Sequence, residues 1–491
     1  MATSCPHRTS VTEEDLRPAR KTAEAGSPRI PPGPKGFRPY YTLRRLLGFR
    51  DFIEGLNRKY GDVVFYRRPF VNCCLLFDPE LSRRIQLAQR RDGPGTEQKT
   101  AGTGTEGRAG RTEHSPVFVK NHHESQFLKT RGLNTADGEP HQRMVRLVSP
   151  AFQRTRLNAF AEVMIEEILA AQARLLPGRK FLCQPEMIRL SARVILRFCV
   201  GSDMKVHPDM VTDALRGIKW DLLLFHLPFS STLRKLPIPE NVRARQSVKR
   251  VEDLIFESVR RARESGPERS DPVSRMVHAR DEQRDEPAFT DDEIRDITID
   301  LMLASTEPLR DALTRSIDCI SRYAEVRSRL EREVDEVLGD RPISPEDYER
   351  LRYTRAILQE ALRFGPPAFV AERTSLEDYI LGDYFLPKGT KVQMVMGTPH
   401  FDEQYWRDPT EFRPERWLGE HGTVPPGHIY APFNYSPHLC LGWELATMTV
   451  VYFLASMAQR LRLDPVKPVG DDFKFFFSLK GPAPTVVSER K

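Results

Sequence analysis

The sequence predicts a mainly α-helical protein with a small β-rich subdomain. Apolar residues recur at helical spacing in long segments, for example residues 159–176, 185–200 and 248–263. Strand-like runs are short and occur near the N-terminus and after Pro367. The chain has 491 residues, and single cores ordinarily stop growing at roughly 250–300. It therefore forms either two domains or one large helical unit built around a buried cofactor.

The composition excludes several classes of protein. The net charge of +7 arises from 75 basic and 68 acidic residues. No basic stripe is interleaved with aromatic residues, so we expect no nucleic-acid binding. The composition does not exclude a local basic surface that binds an acidic redox partner. No window reaches the length of about 18 consecutive apolar residues that a membrane-spanning helix needs, so no such helix is expected.

Residues 1–29 predict a disordered polar tail. They lack the apolar core of a secretory signal. The seven cysteines show neither a CxxC pair nor the spacing of zinc ligands. An odd number of cysteines without a signal peptide fits reduced thiols. We therefore expect a soluble, cytoplasmic protein whose folded domain spans residues 30–491.

Two strands near the N-terminus are predicted to form a hairpin. Residues 31–34 (Pro-Pro-Gly-Pro) lead into it as a stiff, extended segment. Residues 63–66 and 73–77 are strand-like and are separated by a short connection. Cys73 and Cys74 lie in the second strand and are expected to pack within the sheet.

Residues 91–115 predict a mobile surface loop inserted into the domain. The segment is rich in Gly, Thr and charged residues and has almost no apolar ones. It contains a G-x-G-x-x-G pattern at Gly102, Gly104 and Gly107. That pattern binds dinucleotides only between a strand and a helix, and neither flank is present here. We therefore do not interpret it as a nucleotide site.

The most informative helix is predicted to begin at Thr290 and to reach Ile320. Thr290 and Glu293 form a capping box, in which each side chain accepts a hydrogen bond from the other residue's N–H. The apolar middle of the helix indicates burial. Pro308 removes one helical hydrogen bond and should kink the helix, at a cost of about 3 kcal/mol. Glu307 is a carboxylate in this apolar stretch, which is costly unless it is hydrogen-bonded or used in catalysis.

Cys440 lies in a loop, residues 433–442, just before an apolar helix predicted over residues 444–455. Pro432 prevents an earlier helix start. The dipole and free N–H groups of a helix N-terminus lower the pKa of a nearby thiol. The resulting thiolate could be a nucleophile, a redox thiol or a ligand of a soft metal ion. The alternative is that Cys440 is a small buried apolar side chain.

The loop around Cys440 resembles the haem-binding loop of the cytochrome P-450 superfamily. Phe433, His438, Cys440 and Gly442 match the family motif, whereas Ser436 stands where the family ordinarily has Gly. The resemblance covers nearly the whole folded domain and includes three further motifs in the family's order. It implies the cytochrome P-450 fold, haem b as cofactor and Cys440 as the axial thiolate. Phe433, His438 and Gly442 are then expected to contribute to cofactor binding.

The resemblance also implies residues that hold the haem propionates. His141 and Arg373 occupy two such positions, whereas Val145 replaces the arginine that the family has four residues after the first. Arg143 and Arg146 are alternatives for the missing arginine. On the residues alone, His141 could equally be a capping or surface histidine, and Arg373 an exposed arginine.

Glu360 and Arg363 lie one helical turn apart, so their side chains share a face. An isolated pair of this kind is ordinarily a surface ion pair worth less than about 1 kcal/mol. In the family the matching pair is buried and is completed by an arginine from a later loop, which Arg416 matches here. The resemblance therefore implies a structural role for the three residues, not a catalytic one.

The predicted central helix matches the segment that crosses the distal face of the haem in the family. Ser305 replaces a glycine of the family pattern, Glu307 matches its acid, and Pro308 replaces the threonine that assists protonation of dioxygen. The catalytic candidates are Ala304, Thr306 and Glu307. The kink at Pro308 would free the Ala304 carbonyl to hold a water molecule.

Two catalytic hypotheses remain. The first is a monooxygenase that inserts oxygen from O2 into an apolar substrate. Its electrons come from an external ferredoxin or flavoprotein reductase, because the sequence has no flavin or iron–sulfur motif. The second is a peroxide-using enzyme or an oxygen-rearranging isomerase or lyase, which Pro308 favours, whereas Glu307 favours the first. A haem protein that has lost catalysis is a third class, against which the intact Cys440 argues.

The substrate is expected to be an apolar small molecule. The pocket candidates are small or apolar, namely Leu301, Leu303, Ala304 and residues 368–371. They favour a lipid-like or terpenoid molecule, such as a secondary metabolite, over a charged one.

Overall fold

The computed structural model describes most of the chain from Arg29 onward. The described residues are 29–35, 49–68, 71–87, 118–120, 132–133, 136–204, 207–225, 230–267, 271–281, 286–419, 425–435, 438–466, 471–473, 477–479 and 483–490. The predicted tail up to residue 28 and the predicted loop at 91–115, with its G-x-G-x-x-G pattern, lie outside these ranges. Arg29 already forms a parallel β-bridge with Tyr384.

Helices dominate the described residues, as predicted. They are, in chain order, α1 (Phe49–Tyr60), α2 (Pro79–Leu87), α3 (Gly138–Val148), α4 (Arg154–Gln172), α5 (Cys183–Val200), α6 (Pro208–Phe225), α7 (Ser230–Leu233), α8 (Pro239–Ser265), α9 (Pro272–His278), α10 (Asp291–Arg322), α11 (Ala324–Val337), α12 (Arg352–Phe364) and α13 (Trp443–Arg460). Short 3-10 turns cover Ser149–Phe152, Pro345–Glu349, Thr398–Phe401 and Pro414–Trp417. No helix in the described ranges is both long enough and apolar enough to cross a membrane.

The strands confirm a β-rich part built from the N-terminal region and the region after Pro367. They are β1 (Val63–Arg68), β2 (Val71–Leu76), β3 (Phe118–Lys120), β4 (Lys180–Leu182), β5 (Arg280–Asp281), β6 (Glu286–Pro287), β7 (Val370–Ser375), β8 (Tyr379–Leu381), β9 (Tyr384–Leu386), β10 (Lys391–Val395), β11 (Leu461–Pro465), β12 (Asp471–Phe473), β13 (Phe477–Leu479) and β14 (Pro484–Glu489). The largest sheet has the order β1-β2-β10-β7-β3. β1 and β2 form the predicted antiparallel hairpin, with Val63 opposite Leu76.

The extended segment before the hairpin lies directly against β1. The Phe65 N–H donates to the Pro32 carbonyl at 2.9 Å. A Cβ atom at Gly33 would lie 1.7 Å from the Phe65 carbonyl oxygen. Only glycine permits such a close approach of two backbones, which explains the residue at this position.

The central helix, α10, forms the middle of the molecule. Its N-cap is Thr290 and its capping box with Glu293 is present, as predicted. The helix runs to Arg322, and Pro308 does not end it. α10 packs against α5, α8, α12 and α13, and these helices share one apolar core. The site described below therefore lies on a helix whose position is fixed from several sides.

Several helix boundaries differ from the predictions, three of them for clear local reasons. α4 begins at Arg154 and α8 at Pro239, because their polar first turns lie outside the apolar repeat that the prediction followed. Phe152 is not part of α3 but of a separate 3-10 turn. Pro150 lacks an N–H and so cannot continue the hydrogen bonding of α3.

Glu360 is a fully buried carboxylate at the centre of a hydrogen-bond network. Its carboxylate pairs with Arg363 at 2.9 Å, and both side chains are 0% exposed. Its oxygens also accept hydrogen bonds from Arg416 Nε, Trp417 Nε1 and the Arg413 N–H, each at 2.9 Å. The three-residue scaffold of Glu360, Arg363 and Arg416 is therefore present and buried. Glu360 and Arg363 therefore do not form the surface ion pair that their spacing alone would allow.

Arg363 is satisfied by backbone as well as by Glu360. Its guanidinium donates to the carbonyls of His400, Pro409 and Glu411 at 2.7, 2.7 and 3.1 Å. Because these carbonyls belong to the segment between β10 and the Pro414–Trp417 turn, one arginine fixes a long irregular stretch of chain. A buried charge with this many partners is costly to leave unpaired.

We expect Glu360→Gln to lower the free energy of unfolding by about 3–5 kcal/mol, because it leaves Arg363 buried without its counter-charge. Urea unfolding followed by circular dichroism measures this change. Arg413→Ala is the matched control, since the backbone N–H of residue 413 still reaches Glu360. Among the described residues, the Arg413 side chain forms ion pairs only with Asp408 and Glu411, and these pairs are exposed, so its loss should cost under about 1 kcal/mol. Equal effects of the two substitutions would contradict the assigned role of Glu360.

Candidate functional site

Cys440 is held in a tight loop at the start of α13. Its N–H donates to the Phe433 carbonyl at 2.9 Å, and the His438 N–H donates to the Tyr435 carbonyl at 3.1 Å. Asn434 has a φ of 60°, a left-handed conformation that asparagine tolerates better than most residues. The N-cap of α13 is Gly442. The loop thus directs Cys440 to the end of the helix, as predicted.

The thiol of Cys440 differs from every other thiol in the described part of the chain. Cys440 is exposed, whereas Cys73, Cys74, Cys183, Cys199 and Cys319 are buried. Desolvation by surrounding protein nevertheless raises the pKa of the Cys440 thiol, and a hydrogen bond from the Gly442 backbone opposes that rise. The Cys440 thiol is therefore accessible although neighbouring protein desolvates it. The interpretation of Cys440 as a buried apolar side chain is therefore wrong.

One stripe of α10 is open although the rest of the helix is buried. Ala304 is exposed, and Leu301, Ser305 and Pro308 are partly exposed. These positions follow the i, i+3, i+4, i+7 spacing of one helix face. The stripe is small and mostly apolar, which suits contact with an apolar ligand.

Two predicted pocket residues lie elsewhere. Leu303 lines a small apolar cavity between α6, α8 and α10, away from the Ala304 stripe. Phe369 is buried, and its ring occupies the place of the missing side chain at Gly397. Leu303 and Phe369 therefore contribute to internal packing and do not lie on the open face of α10.

Glu307 is buried beside the stripe and is paired within its own helix. Its carboxylate lies 3.3 Å from Arg310 Nη1. Arg310 also binds Asp311, with Nε 2.8 Å from Oδ1. Three residues turn a helix by about 300°, so Glu307 lies about 60° from Ala304 around the axis. The prediction that this acid must be hydrogen-bonded or used is met by Arg310, which the sequence analysis missed although it lies at the helical spacing i+3.

Thr306 does not join the open stripe. It is fully buried, and its hydroxyl donates to the Met302 carbonyl one turn earlier at 2.6 Å. Two residues turn the helix by about 200°, so Thr306 faces almost opposite to Ala304. Its hydroxyl is therefore placed for helix packing and not for contact with a ligand on the Ala304 side.

Three of the predicted cofactor-binding residues are gathered around Asp137. The rings of His141 and His438 lie 4.6 Å apart, and His438 Nε2 is 3.8 Å from the Asp137 carboxylate. Arg373 on β7 is 5% exposed. Burial lowers the pKa of the Arg373 guanidinium to about 10, and the charges of Asp137 and Tyr435 oppose that shift. The structure therefore places His141, His438 and Arg373 near one another.

A chain of amides connects Arg373 with the Cys440 loop. Arg373 Nη2 donates to Gln86 Oε1 at 3.3 Å, and Gln86 Nε2 donates to Asn434 Oδ1 at 3.0 Å. The same Asn434 oxygen accepts the Tyr435 N–H at 2.9 Å. Gln86 lies on α2, far from both partners in sequence. Its role could not be predicted, because no local pattern points to a contact across more than 280 residues.

Unsatisfied donors test whether these residues fit a haem. Among the described residues, Arg373 Nε and the Tyr435 hydroxyl are buried without a hydrogen-bond partner. Leaving such a donor unpaired costs about 1–3 kcal/mol, and an anionic group with several acceptor oxygens would remove that cost. Haem carries two carboxylate side chains, and Cys440 offers the thiolate that haem iron accepts. The residues present therefore fit haem b.

The alternatives for the missing arginine do not reach this cluster. Arg143 donates to the Ala288 carbonyl and lies over the Phe289 ring, and Arg146 is exposed. Tyr435 and Asp137 are the additional residues found here that the sequence analysis missed. The sequence signal for Tyr435 is its place two residues after Phe433 in the matched loop.

Comparison with known proteins agrees with this geometry. A family model described as cytochrome P450 matches residues 108–486. A solved structure of retinoic-acid-bound cyanobacterial CYP120A1 matches with a TM-score of 0.78 over 95% of this chain and 100% of that chain, at 19% sequence identity. At this identity the likeness shows the fold, and it confirms the predicted one.

Three bacterial enzymes are among the similar proteins. Cyclooctat-9-en-7-ol 5-monooxygenase of Streptomyces melanosporofaciens is 29% identical over 83% of this chain and 83% of its own length. Cyclooctatin synthase of the same organism is 32% identical over 68% of this chain and 73% of its own length. Pentalenene oxygenase of Streptomyces avermitilis is 30% identical over 69% of this chain and 75% of its own length.

We expect Arg373→Gln to speed the loss of haem from the loaded protein by about tenfold or more. A hydrogen bond to a charged group contributes about 1.5–3 kcal/mol, and about 1.4 kcal/mol corresponds to a factor of ten. Transfer of haem to an excess of apomyoglobin measures the rate. Arg146→Gln removes the same charge from an exposed position on α3 and should leave the rate within about twofold. An unchanged rate in Arg373→Gln would remove this residue from the cofactor site.

Proposed function

The chain belongs to the cytochrome P450 family of monooxygenases, and from that premise we propose that it inserts one oxygen atom of O2 into an apolar, terpenoid-like small molecule. Cys440 would hold haem b as a thiolate, and a separate ferredoxin or flavoprotein would supply electrons. The observation that carries the proposal is the accessible but desolvated thiol of Cys440. The open stripe around Ala304 supports it as a contact surface for the substrate.

Several residues would hold and orient the cofactor. Bound haem with a thiolate ligand supplies the activation of O2, because the sulfur pushes electron density toward the iron and favours O–O cleavage. The Gly442 N–H stabilises the Cys440 thiolate. Arg373, His438 and His141 would bind the propionates, with the Tyr435 hydroxyl as a further donor. These contacts would orient the cofactor relative to the loop.

Glu307 is the residue best placed to move a proton toward the Ala304 stripe. It is 7% exposed and lies beside the stripe, and Arg310 keeps its carboxylate close to a positive charge. A carboxyl group that exchanges between Arg310 and a water near Ala304 can accept and release protons in turn. Thr306 is not part of this proposal, because its hydroxyl is committed to the Met302 carbonyl.

The proposed substrate class is based on the side chains of the open α10 stripe and on the names of the bacterial relatives. The stripe offers Leu301, Ala304 and Pro308 but only one polar side chain, Ser305. The names of the bacterial relatives specify cyclooctat-9-en-7-ol, cyclooctatin and pentalenene as the molecules they oxidise or produce. We propose a substrate of the same kind, mainly hydrocarbon with few polar groups, because an apolar surface does not compensate the desolvation of a charged ligand.

Pro308 supports a second candidate function. A proline ring offers no hydroxyl at the position where the family ordinarily has threonine, so proton delivery must use another group or be unnecessary. A peroxide-using or oxygen-rearranging enzyme needs no such delivery, because its substrate already contains the O–O bond. Turnover with O2 and a reductase system, compared with turnover on peroxide alone, separates the two. Product formed only from peroxide would contradict the monooxygenase proposal.

We expect Glu307→Gln to lower O2-dependent turnover by roughly 100-fold, because general acid–base catalysis contributes about 10²–10⁴. Peroxide-supported turnover should change by less than about threefold, since proton delivery to O2 is then bypassed. Product formation per electron donor consumed measures the effect. Asp296→Asn is the matched control. Asp296 lies about three helical turns before Glu307 on α10, and its carboxylate also pairs with an arginine, Arg295. Full O2-dependent activity in Glu307→Gln would contradict the assigned role.

A further inference from the structure

Gln86 is a fully buried polar residue that connects two parts of the proposed cofactor site. It is the second-last residue of α2, and its side chain is 0% exposed. A buried amide is costly unless its donor and its acceptor are both paired. Gln86 Oε1 accepts from Arg373 Nη2 at 3.3 Å, and Gln86 Nε2 donates to Asn434 Oδ1 at 3.0 Å. One side chain therefore contacts both the proposed propionate-binding arginine and the Cys440 loop.

The orientation of the Gln86 amide is determined by its neighbours. A guanidinium has only donors, so the oxygen of the amide must face Arg373. The nitrogen then faces Asn434, whose side-chain oxygen also accepts the Tyr435 N–H at 2.9 Å. A carbonyl oxygen has two lone pairs and can accept both hydrogen bonds. A residue that lacks either the donor or the acceptor cannot make both contacts of Gln86.

The contact with Asn434 reaches the backbone of Cys440 through one peptide unit. The Asn434 N–H donates to the Ala431 carbonyl at 3.0 Å. The carbonyl of the same peptide unit, that of Phe433, accepts the Cys440 N–H at 2.9 Å. Asn434 has a left-handed φ of 60°, a conformation that side-chain hydrogen bonds of asparagine stabilise. The hydrogen bond from Gln86 therefore stabilises the peptide unit that accepts the Cys440 N–H.

The other contact of Gln86 leaves part of Arg373 available to a ligand. Arg373 Nη1 donates to the Glu372 carbonyl at 2.8 Å, and Nη2 donates to Gln86. Both terminal nitrogens are thus held by protein, whereas Arg373 Nε is buried without a hydrogen-bond partner. Because Gln86 is neutral, it orients the guanidinium without cancelling the positive charge that attracts a carboxylate.

Apolar packing holds α2 against the two segments that Gln86 connects. Ile85, the preceding residue, is 0% exposed and lies in one apolar cluster with Tyr435 of the loop and Met394 of β10. β10 pairs directly with β7, the strand that carries Arg373. The packing therefore places the Gln86 amide between its two partners and limits its movement.

We propose that Gln86 is a positioning residue for haem binding, which keeps Arg373 and the Cys440 loop at a constant separation. The proposal rests on the proposed ligation of haem by Cys440. Haem is a rigid ring, so its carboxylates and its iron lie at set positions relative to one another. A change in the separation of Arg373 and Cys440 weakens at least one of the two contacts. Loss of Gln86 therefore affects both the retention of haem and the thiolate ligand.

The test is Gln86→Leu, which keeps a similar volume and removes both hydrogen bonds. We expect transfer of haem to apomyoglobin to become about three- to tenfold faster. This factor corresponds to about 0.7–1.4 kcal/mol, which is the net contribution of a typical hydrogen bond. In the reduced carbon monoxide complex, the share that shows the red-shifted Soret band of thiolate ligation should fall.

Asn434→Gly tests the loop end of the same connection. Glycine adopts a left-handed φ readily, so this variant keeps the backbone conformation and removes only the side-chain acceptor. We expect it to lower the share of the thiolate-type band as Gln86→Leu does. It also decides the question if Gln86→Leu yields no folded protein, because a full thiolate-type band in Asn434→Gly would overturn the proposal.

Gln172→Leu is the matched control. Gln172 is 8% exposed, and its Nε2 donates to the Phe453 carbonyl at 3.1 Å and to Ser456 Oγ at 3.0 Å. This buried amide also connects two elements, α4 and α13, but its hydrogen bonds go to the second half of α13. Urea unfolding should show a similar loss of stability in the two leucine variants, whereas only Gln86→Leu should change the rate of haem transfer. Equal increases in that rate would overturn the proposal.

Combining Gln86→Leu with Arg373→Gln tests whether Gln86 acts through Arg373. Residues in direct contact show coupled effects, so the combined increase in the transfer rate should be smaller than the product of the two single increases. An increase equal to that product would contradict the proposal, as would an unchanged transfer rate in Gln86→Leu. Absence of the thiolate-type band in the unchanged protein would instead refute the proposed function itself.

Discussion

Glu360 accepts hydrogen bonds from α12, from the Arg413 backbone and from the Pro414–Trp417 turn, and it is 0% exposed. Trp417, one of its donors, lies 4.5 Å from the ring of Tyr430. Tyr430 in turn donates its hydroxyl to the Gln359 carbonyl at 2.8 Å. This network therefore extends from a buried carboxylate to the segment that leads into the Cys440 loop. Because removal of one partner strands the others in a dry interior, the position of the loop depends on the integrity of the network.

The functional residues lie on two elements that this scaffold and the apolar core hold in place. The Cys440 loop presents an accessible thiol, and α10 presents a narrow open stripe around Ala304. The buried carboxylate beside the stripe, Glu307, is paired with Arg310. This pair lies next to the open stripe and not within it. The stripe itself consists of Leu301, Ala304, Ser305 and Pro308 and so carries no charged side chain.

Local patterns predicted much of the fold, because helical caps and hairpins depend on neighbouring residues. The capping box at Thr290 and the hairpin of β1 and β2 are examples. The orientation of Thr306 could also have been predicted, since helical geometry places it opposite Ala304. The contacts of Gln86 with Arg373 and Asn434 could not, because they depend on the packing of segments hundreds of residues apart. The resemblance identified the charged scaffold of Glu360, whereas spacing alone favoured an exposed pair.

The central claim is that Cys440 holds a haem iron as a thiolate. A carbon monoxide difference spectrum of the reduced protein tests it most directly, because thiolate ligation gives the complex a red-shifted Soret band. The account predicts this band in the unchanged protein and in Cys199→Ala, whose cysteine is buried within α5. It predicts loss of the band in Cys440→Ala. Persistence of the band in Cys440→Ala, or its loss in Cys199→Ala, would contradict the assignment of the ligand.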